Sequence, residues 1–115
     1  MSAPSRRPAV SNLLEVARPI RSAHEHVIVA AVNDDRMVLA VNTEPYPWHE
    51  HPDSDELFLV LEGTLRLDVA GGRSVDLGPF DTCVIRAGEV HRTTPVGRCV
   101  NLVFKRADGG TRFIK

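Results

Sequence analysis

A short polar stretch near the middle of the chain carries the residues best suited to chemistry. It reads Trp48-His49-Glu50-His51-Pro52-Asp53-Ser54-Asp55-Glu56, and a further histidine, His91, follows far downstream. Side chains two apart on a β-strand share a face, with Cα atoms about 7 Å apart, so His49 and His51 can converge on one ion while Glu50 points away. Three imidazoles, His49, His51 and His91, together with the carboxylate of Glu56, therefore predict one shared metal site.

The segment between His51 and Glu56 favours a turn, because Pro, Asp and Ser are common where a chain reverses. The apolar run 57–61 follows directly and predicts the antiparallel partner strand of a hairpin. Such a hairpin would return Glu56 to the level of the histidines. Asp53 and Asp55 are interpreted as solvated turn residues.

The ligand set indicates the type of metal. Three neutral nitrogens and one carboxylate suit one divalent transition metal, which could be Fe, Mn, Ni, Cu, Co or Zn, whereas Ca and Mg prefer oxygen ligands. Four protein ligands on an octahedral ion leave two positions open for water, dioxygen or a bidentate substrate. We therefore expect an open coordination site, at which Glu56 is also a candidate for proton transfer.

The elements that must position these residues are short strands. Apolar and β-branched runs are separated by turn signals such as Glu62-Gly63-Thr64 and Gly71-Gly72, and no long helical pattern lies between them. This pattern predicts an all-β barrel or sandwich. The predicted strands are 27–32, 37–41, 57–61, 65–69, 75–77, 82–85 and 100–104.

The 115 residues fit a single domain. Residues 1–9 contain prolines, serines and two arginines without periodicity, which predicts a flexible N-terminal arm, and residues 10–115 are assigned to the β-barrel domain. Ser11 or Asn12 can cap one short helical turn that ends before Pro19.

The spacing His49-x-His51-x4-Glu56-x6-Gly63 resembles the first motif of the cupin superfamily, and Gly88-x2-His91 resembles the centre of the second. Small single-domain cupins commonly read W-H-x-H-x-D-x-D-E-x-F, as residues 48–58 do, and the match spans residues 38–104. Arg86 and Phe80 stand where cupins usually carry Pro and Gly. The resemblance implies a double-stranded β-helix, or jelly roll, with a metal held inside the barrel by the four matched side chains.

Strand periodicity predicts the lining of the pocket. If Glu56 faces inward, Phe58 and Val60 lie inside with it, and the leucines at 57, 59 and 61 face the opposite side. That second apolar face needs a cover, either another strand, the N-terminal arm or a second subunit. We therefore expect a homodimer, which small cupins also tend to form.

Polar and aromatic candidates for the substrate pocket are Tyr46, Trp48, Arg86, Thr93 and Asn101. Arg86 could bind a substrate carboxylate or phosphate through its guanidinium, although the favoured interpretation is a surface arginine paired with a nearby acid. Asn101 faces either the cavity or solvent, and the sequence leaves both alternatives open.

Two further residue pairs receive ordinary interpretations. His24 and His26 also have i, i+2 spacing, but no carboxylate hairpin follows them, so we expect exposed residues near the start of a strand. Cys83 and Cys99 do not form a C-x-x-C pair and are interpreted as buried free thiols, with a disulfide or a metal thiolate as the less favoured alternatives.

Composition limits the classes of partner. The formal net charge of −1 gives no electrostatic reason to expect nucleic acid or an anionic membrane, and no apolar run approaches the length of a spanning helix. No signal-peptide pattern is present, so a cytoplasmic location is expected. Two function classes remain: a metal-dependent enzyme on a small molecule, for which the resemblance suggests dioxygenase or isomerase chemistry, and a non-catalytic module that binds or senses a small ligand.

Overall fold

The structure is a computed structural model that describes residues 8–114. Within that range one short helix precedes eight strands, and every strand pairing is antiparallel. The all-β prediction is therefore confirmed. The elements are α1 (Leu13–Ala17), β1 (His24–Val32), β2 (Asp35–Asn42), β3 (Tyr46–Glu50), β4 (Glu56–Val69), β5 (Arg73–Leu77), β6 (Thr82–Ile85), β7 (His91–Arg106) and β8 (Arg112–Phe113).

The predicted helical turn forms at the start of the domain. Asn12 is its N-cap, and its side-chain oxygen accepts a hydrogen bond of 3.0 Å from the backbone N–H of Glu15. The helix ends at Ala17, with Arg18 as its C-cap, before Pro19. Of the predicted arm over residues 1–9, residues 1–7 lie outside the described residues, while Pro8 and Ala9 are exposed and have no regular secondary structure.

The two longest strands, β4 and β7, pair with each other and bend together. Their register shifts around Glu62, where the chain bulges. The sequence predicted a turn here between two separate strands, 57–61 and 65–69, which is wrong because β4 continues through it. Gly63 makes the bulge possible: its φ is +78°, and a Cβ at this position would overlap the carbonyl oxygen of Arg98.

The bend folds the β4–β7 pair into two layers. A straight strand from Glu56 to Val69 would be about 43 Å long at 3.3 Å per residue. Val69 nevertheless pairs with His91, and His91 Nε2 lies only 3.1 Å from Glu56 Oε1. The two ends of β4 therefore face each other across the interior. This arrangement is the predicted jelly roll, and it places residues from distant segments around one cavity.

The predicted hairpin between the histidine strand and the strand of Glu56 does not form. Among the described residues, β3 pairs with β7, through His49 and His91, and with β8, through His49 and Phe113, but not with β4. Residues 51–55 instead cross from one layer to the other. A turn-rich segment permits a reversal but does not determine which strand the chain then pairs with, and in this fold the edges of β4 are occupied by β5, β6 and β7.

Two apolar clusters lie on the two faces of β4. Phe58 and Val60 belong to the inner cluster, as strand periodicity predicted. Leu59 and Leu61 are half-buried on the outer face, where they pack with the cluster that contains Ala17 of α1. The N-terminal segment therefore supplies cover for the outer face. Arg98 supports this contact by donating a hydrogen bond of 2.6 Å from Nη2 to the carbonyl oxygen of Ala17.

Both cysteines are free thiols. Cys99 is fully buried, and burial raises the pKa of its thiol to about 11, while Cys83 is half-buried. The prediction of buried free thiols therefore holds for Cys99 and in part for Cys83. Separately, no helix within residues 8–114 has the length and apolar character needed to cross a bilayer.

Candidate metal centre

Four side chains from three strands and one loop meet in the interior. His49 lies on β3, His51 follows that strand directly, Glu56 is the first residue of β4 and His91 is the first residue of β7. One nitrogen or oxygen of each lies within 4.8 Å of the corresponding atoms of the others, and all four residues are buried. The structure thus brings together the four residues that the sequence singled out. Glu50 points away and forms an ion pair of 2.9 Å with Arg112.

Backbone carbonyl groups hold the three imidazole rings in one orientation. The Nδ1 atom of His49 lies 2.7 Å from the oxygen of Pro47, that of His51 lies 3.1 Å from the oxygen of Gly110, and that of His91 lies 2.9 Å from the oxygen of Glu89. A carbonyl oxygen only accepts, so each Nδ1 must donate its hydrogen. In the neutral tautomer, each Nε2 is then left with a lone pair, as metal ligation requires.

The Nε2 atoms face a carboxylate oxygen that is also an acceptor. Glu56 Oε1 lies 3.1 Å from His91 Nε2 and 3.2 Å from His51 Nε2. His51 Nε2 is buried and has no hydrogen-bond partner. Lone pairs that converge at this distance repel one another unless a cation lies among them. The donor set therefore fits a divalent transition metal.

The pKa shifts of Glu56 and His49 agree with this assignment, whereas the shift of His91 is in the opposite direction. Burial by itself raises the pKa of Glu56, but its contacts with His51 and His91 outweigh burial and bring the pKa to about 2. Burial lowers the pKa of His49 to about 4. For His91, burial is the largest single cause and lowers the pKa, but the contacts with Glu56 and Glu89 together outweigh it, so the net shift is upward. The site therefore offers an ionised carboxylate and a neutral His49 at neutral pH, which are the states that bind a metal.

A cavity of about 180 Å³ is lined by three of the four candidate ligand residues, His49, His51 and Glu56. Four pocket residues predicted from the sequence line it, namely Tyr46, Phe58, Thr93 and Asn101. Of the two alternatives for Asn101, the structure therefore shows the cavity-facing one. The remaining lining residues are His24, His26, Ala40, Asn42, His49, His51, Glu56, Val103, Lys105 and Thr111.

Three predicted pocket residues lie elsewhere. Arg86 has a 71% exposed side chain, pairs with Asp55 at 3.2 Å and does not line the cavity, which agrees with the favoured interpretation of a surface arginine. Trp48 precedes His49 on β3 and therefore faces the other side of the strand, where the guanidinium of Arg92 lies 4.8 Å from its ring centroid. Val60 shares the inward face of β4 but is completely buried in the inner cluster.

Asp55 does more than the solvated turn residue that the sequence suggested. In addition to its ion pair with Arg86, its carboxylate accepts a hydrogen bond of 2.8 Å from the backbone N–H of Ala87. It thereby links the segment before Glu56 to the loop before His91, and the bond from Ala87 together with the contact with Arg86 lowers the pKa of Asp55.

Sequence reasoning missed several residues at the cavity. Lys105 has a detectable signal, because it follows Asn101 and Val103 at period two on β7 and therefore shares their face. Asn42 is the last residue of β2, and no spacing in the sequence indicates that it lies at the cavity. His24 and His26 are exposed at the start of β1, as predicted, and the ring of His24 stacks on that of Tyr46 at 4.8 Å between centroids.

Comparisons with known proteins agree with this fold and site. Residues 35–103 match the Cupin_2 family model, a cupin domain. The Bacillus subtilis (strain 168) protein "Uncharacterized protein YdbB" is 41% identical over 106 residues, which cover 92% of this chain and 94% of that protein. The crystal structure of a cupin-2 domain containing protein from Shewanella frigidimarina has a TM-score of 0.76 at 26% identity, covering 84% of this chain and 93% of that one.

A second solved structure supports the fold alone. An uncharacterized conserved protein with a double-stranded β-helix domain from Klebsiella pneumoniae has a TM-score of 0.79 at 17% identity. The match covers 95% of this chain and 99% of that chain. The architecture therefore extends over almost the whole length of both proteins.

Proposed function

This chain belongs to the cupin family, and from that premise we propose that it is a metal-dependent enzyme that acts on a small molecule at the centre formed by His49, His51, Glu56 and His91. The proposed chemistry is that of a dioxygenase or an isomerase. Fold alone does not decide between the many activities that one architecture can carry, so the proposal depends on the site.

One observation carries the proposal: three imidazole rings are fixed by carbonyl groups so that their Nε2 atoms converge with Glu56 beside a cavity. A site that only stabilised the fold would not need a cavity next to its ligands. When bound, a divalent transition metal with open positions supplies Lewis acidity or a binding position for dioxygen.

The protein's own residues provide orientation and exclusion of water. The carbonyl groups of Pro47, Gly110 and Glu89 fix the ring orientations, and the burial of all four ligand residues limits the access of water. Glu56 Oε2 lies 4.0 Å from Lys105 Nζ, on the side of the carboxylate away from the histidine contacts. This second oxygen is the group proposed to hold or move a proton during turnover.

The proposal predicts turnover that depends on the metal. Protein reconstituted separately with Fe(II), Mn(II), Ni(II), Cu(II), Co(II) and Zn(II) is incubated with a panel of short organic acids and sugars. We expect that one combination consumes dioxygen at an oxygen electrode, or rearranges the substrate by NMR, and that His51→Ala abolishes this activity. Binding of a panel member without any turnover would instead identify a binding module.

A homodimer is proposed through the edge of the sheet. Among residues 8–114, β1 pairs only with β2, so its other edge carries backbone groups that no other described strand pairs with, and Ile28 on this strand is 60% exposed. We expect a mass of twice 12.7 kDa by light scattering at micromolar concentration. Ile28→Lys should shift the mass toward that of one chain, because it places a charge at the proposed contact. A wild-type monomer would contradict this proposal.

The proposed location is the cytoplasm. Cys83 and Cys99 are both free, which is the state that a reducing compartment maintains.

A further inference from the structure

The charges around the cavity balance without a metal and become positive when a divalent cation is bound. Lys105 is the only lysine or arginine among the described residues that line it, and Glu56 is the only carboxylate. The two side chains lie 4.0 Å apart, so Glu56 partly neutralises Lys105. When Glu56 ligates a divalent cation, the positive charges of the ion and of Lys105 outweigh its single negative charge. A cavity with this excess favours an anion.

Two side-chain amide oxygens at the same cavity lack hydrogen-bond partners. Asn42 and Asn101 are each 2% exposed, and the Oδ1 atom of each is buried without a hydrogen bond. The Nδ2 atom of Asn101 lies 4.0 Å from Cys99 Sγ, which leaves Oδ1 as its unused group. A buried amide oxygen without a partner loses free energy, and a ligand with a hydroxyl group can satisfy it.

The volume limits the size of the ligand. The cavity of about 180 Å³ corresponds to roughly six water molecules at their share of liquid volume. It is smaller than the pockets that enclose drug-sized ligands, which begin at about 300 Å³. The occupant therefore contains few heavy atoms.

We propose that the cavity binds a short hydroxycarboxylate, with its carboxylate next to Lys105 and the metal centre and its hydroxyl group donating to the amide oxygen of Asn42 or Asn101. The inference rests on the proposed function, because the metal supplies part of the positive charge. It adds the class of ligand and assigns specificity to Lys105, Asn42 and Asn101.

Titration calorimetry on the Zn(II)-loaded protein tests the ligand class with three probes of similar size. Glycolate carries both groups, acetate lacks the hydroxyl and glycolamide lacks the charge. We expect glycolate to bind at least about tenfold more tightly than glycolamide, because glycolamide cannot form an ion pair with Lys105. We expect glycolate to bind about fivefold more tightly than acetate, because acetate lacks the hydroxyl group. Equal affinities of the wild-type protein for glycolate and glycolamide would overturn the proposal.

Substitutions test which residue causes the preference for glycolate over glycolamide and which causes the preference for glycolate over acetate. Lys105→Met keeps the length of the side chain and should reduce glycolate affinity about tenfold while leaving glycolamide affinity unchanged. Asn42→Leu or Asn101→Leu should remove the preference for glycolate over acetate. Arg66→Met is the matched control, since it removes one positive charge from a surface ion pair with Asp76. An unchanged ratio of glycolate to glycolamide in Lys105→Met would overturn the role of Lys105.

The metal content, measured first, separates the two proposals. Wild-type protein that takes up no metal after reconstitution contradicts the proposed function. Protein that holds the metal but shows no preference for glycolate contradicts only the ligand class. Retained preference in both asparagine variants overturns the role of the amides.

Discussion

Replacing His51 with alanine is expected to reduce bound metal from about one ion per chain to less than about one tenth, as measured by elemental analysis after dialysis. Changing a residue that only supports a ligand typically costs 10- to 100-fold in affinity, and removing the ligand itself should cost at least roughly that much. His51 Nε2 is buried and has no hydrogen-bond partner, so its assigned role is ligation.

His24→Ala is the matched control for this experiment. His24 also belongs to a pair of histidines two residues apart and also lines the cavity, but it is not one of the four converging residues. Metal content should therefore remain at about one ion per chain. Equal metal content in wild type and His51→Ala, with folding verified by circular dichroism, would contradict the assigned centre.

Gly63→Ala is expected to lower the free energy of unfolding by about 3–5 kcal/mol, a large part of the stability of a typical domain. Two costs add at this position. The φ of +78° disfavours any side chain, and a Cβ would overlap the carbonyl oxygen of Arg98 and lie 3.2 Å from Cys99 Cα. Both obstacles are backbone atoms, so a change of side-chain rotamer cannot relieve them.

Gly97→Ala separates the two costs. Gly97 lies at the same corner on β7 and has a φ of +68°, but an added Cβ would have no neighbour within 4 Å. We expect a loss of only about 1 kcal/mol in urea unfolding, from backbone strain alone. Similar losses for the two variants would show that the contact with Arg98 does not govern the bend.

The four residues of the candidate metal centre were predictable because residue types and spacing indicate a ligand set. His49 and His51 share a strand face, and Glu56 and His91 complete a donor set that suits a transition metal. The resemblance to cupins then supplied the jelly roll. Strand parity also placed Phe58 inside the barrel, and Leu59 and Leu61 on the outer face.

The wrong or undecided predictions concerned the continuity of β4 and the side chains assigned to the pocket. Gly63 signals a bend, but a glycine between two apolar runs is equally compatible with a turn and with a bulge, and only the contact with Arg98 distinguishes them. Trp48 was assigned to the pocket although parity with His49 places it on the opposite face. Arg86 remained ambiguous because its partner, Asp55, lies 31 residues earlier in the chain.

By itself, the sequence determined which four residues could hold a metal and which strand faces are apolar, since both depend on residue type and on a period of two. Only the tertiary structure decided that β3 pairs with β7 instead of β4, and that Lys105, Asn42 and Asn101 lie around one small cavity. The physical reason is that these outcomes depend on contacts between residues distant in the chain. Local preferences are the same for several ways of pairing the strands, and the bend at Gly63 and the packing of the two layers select one of them.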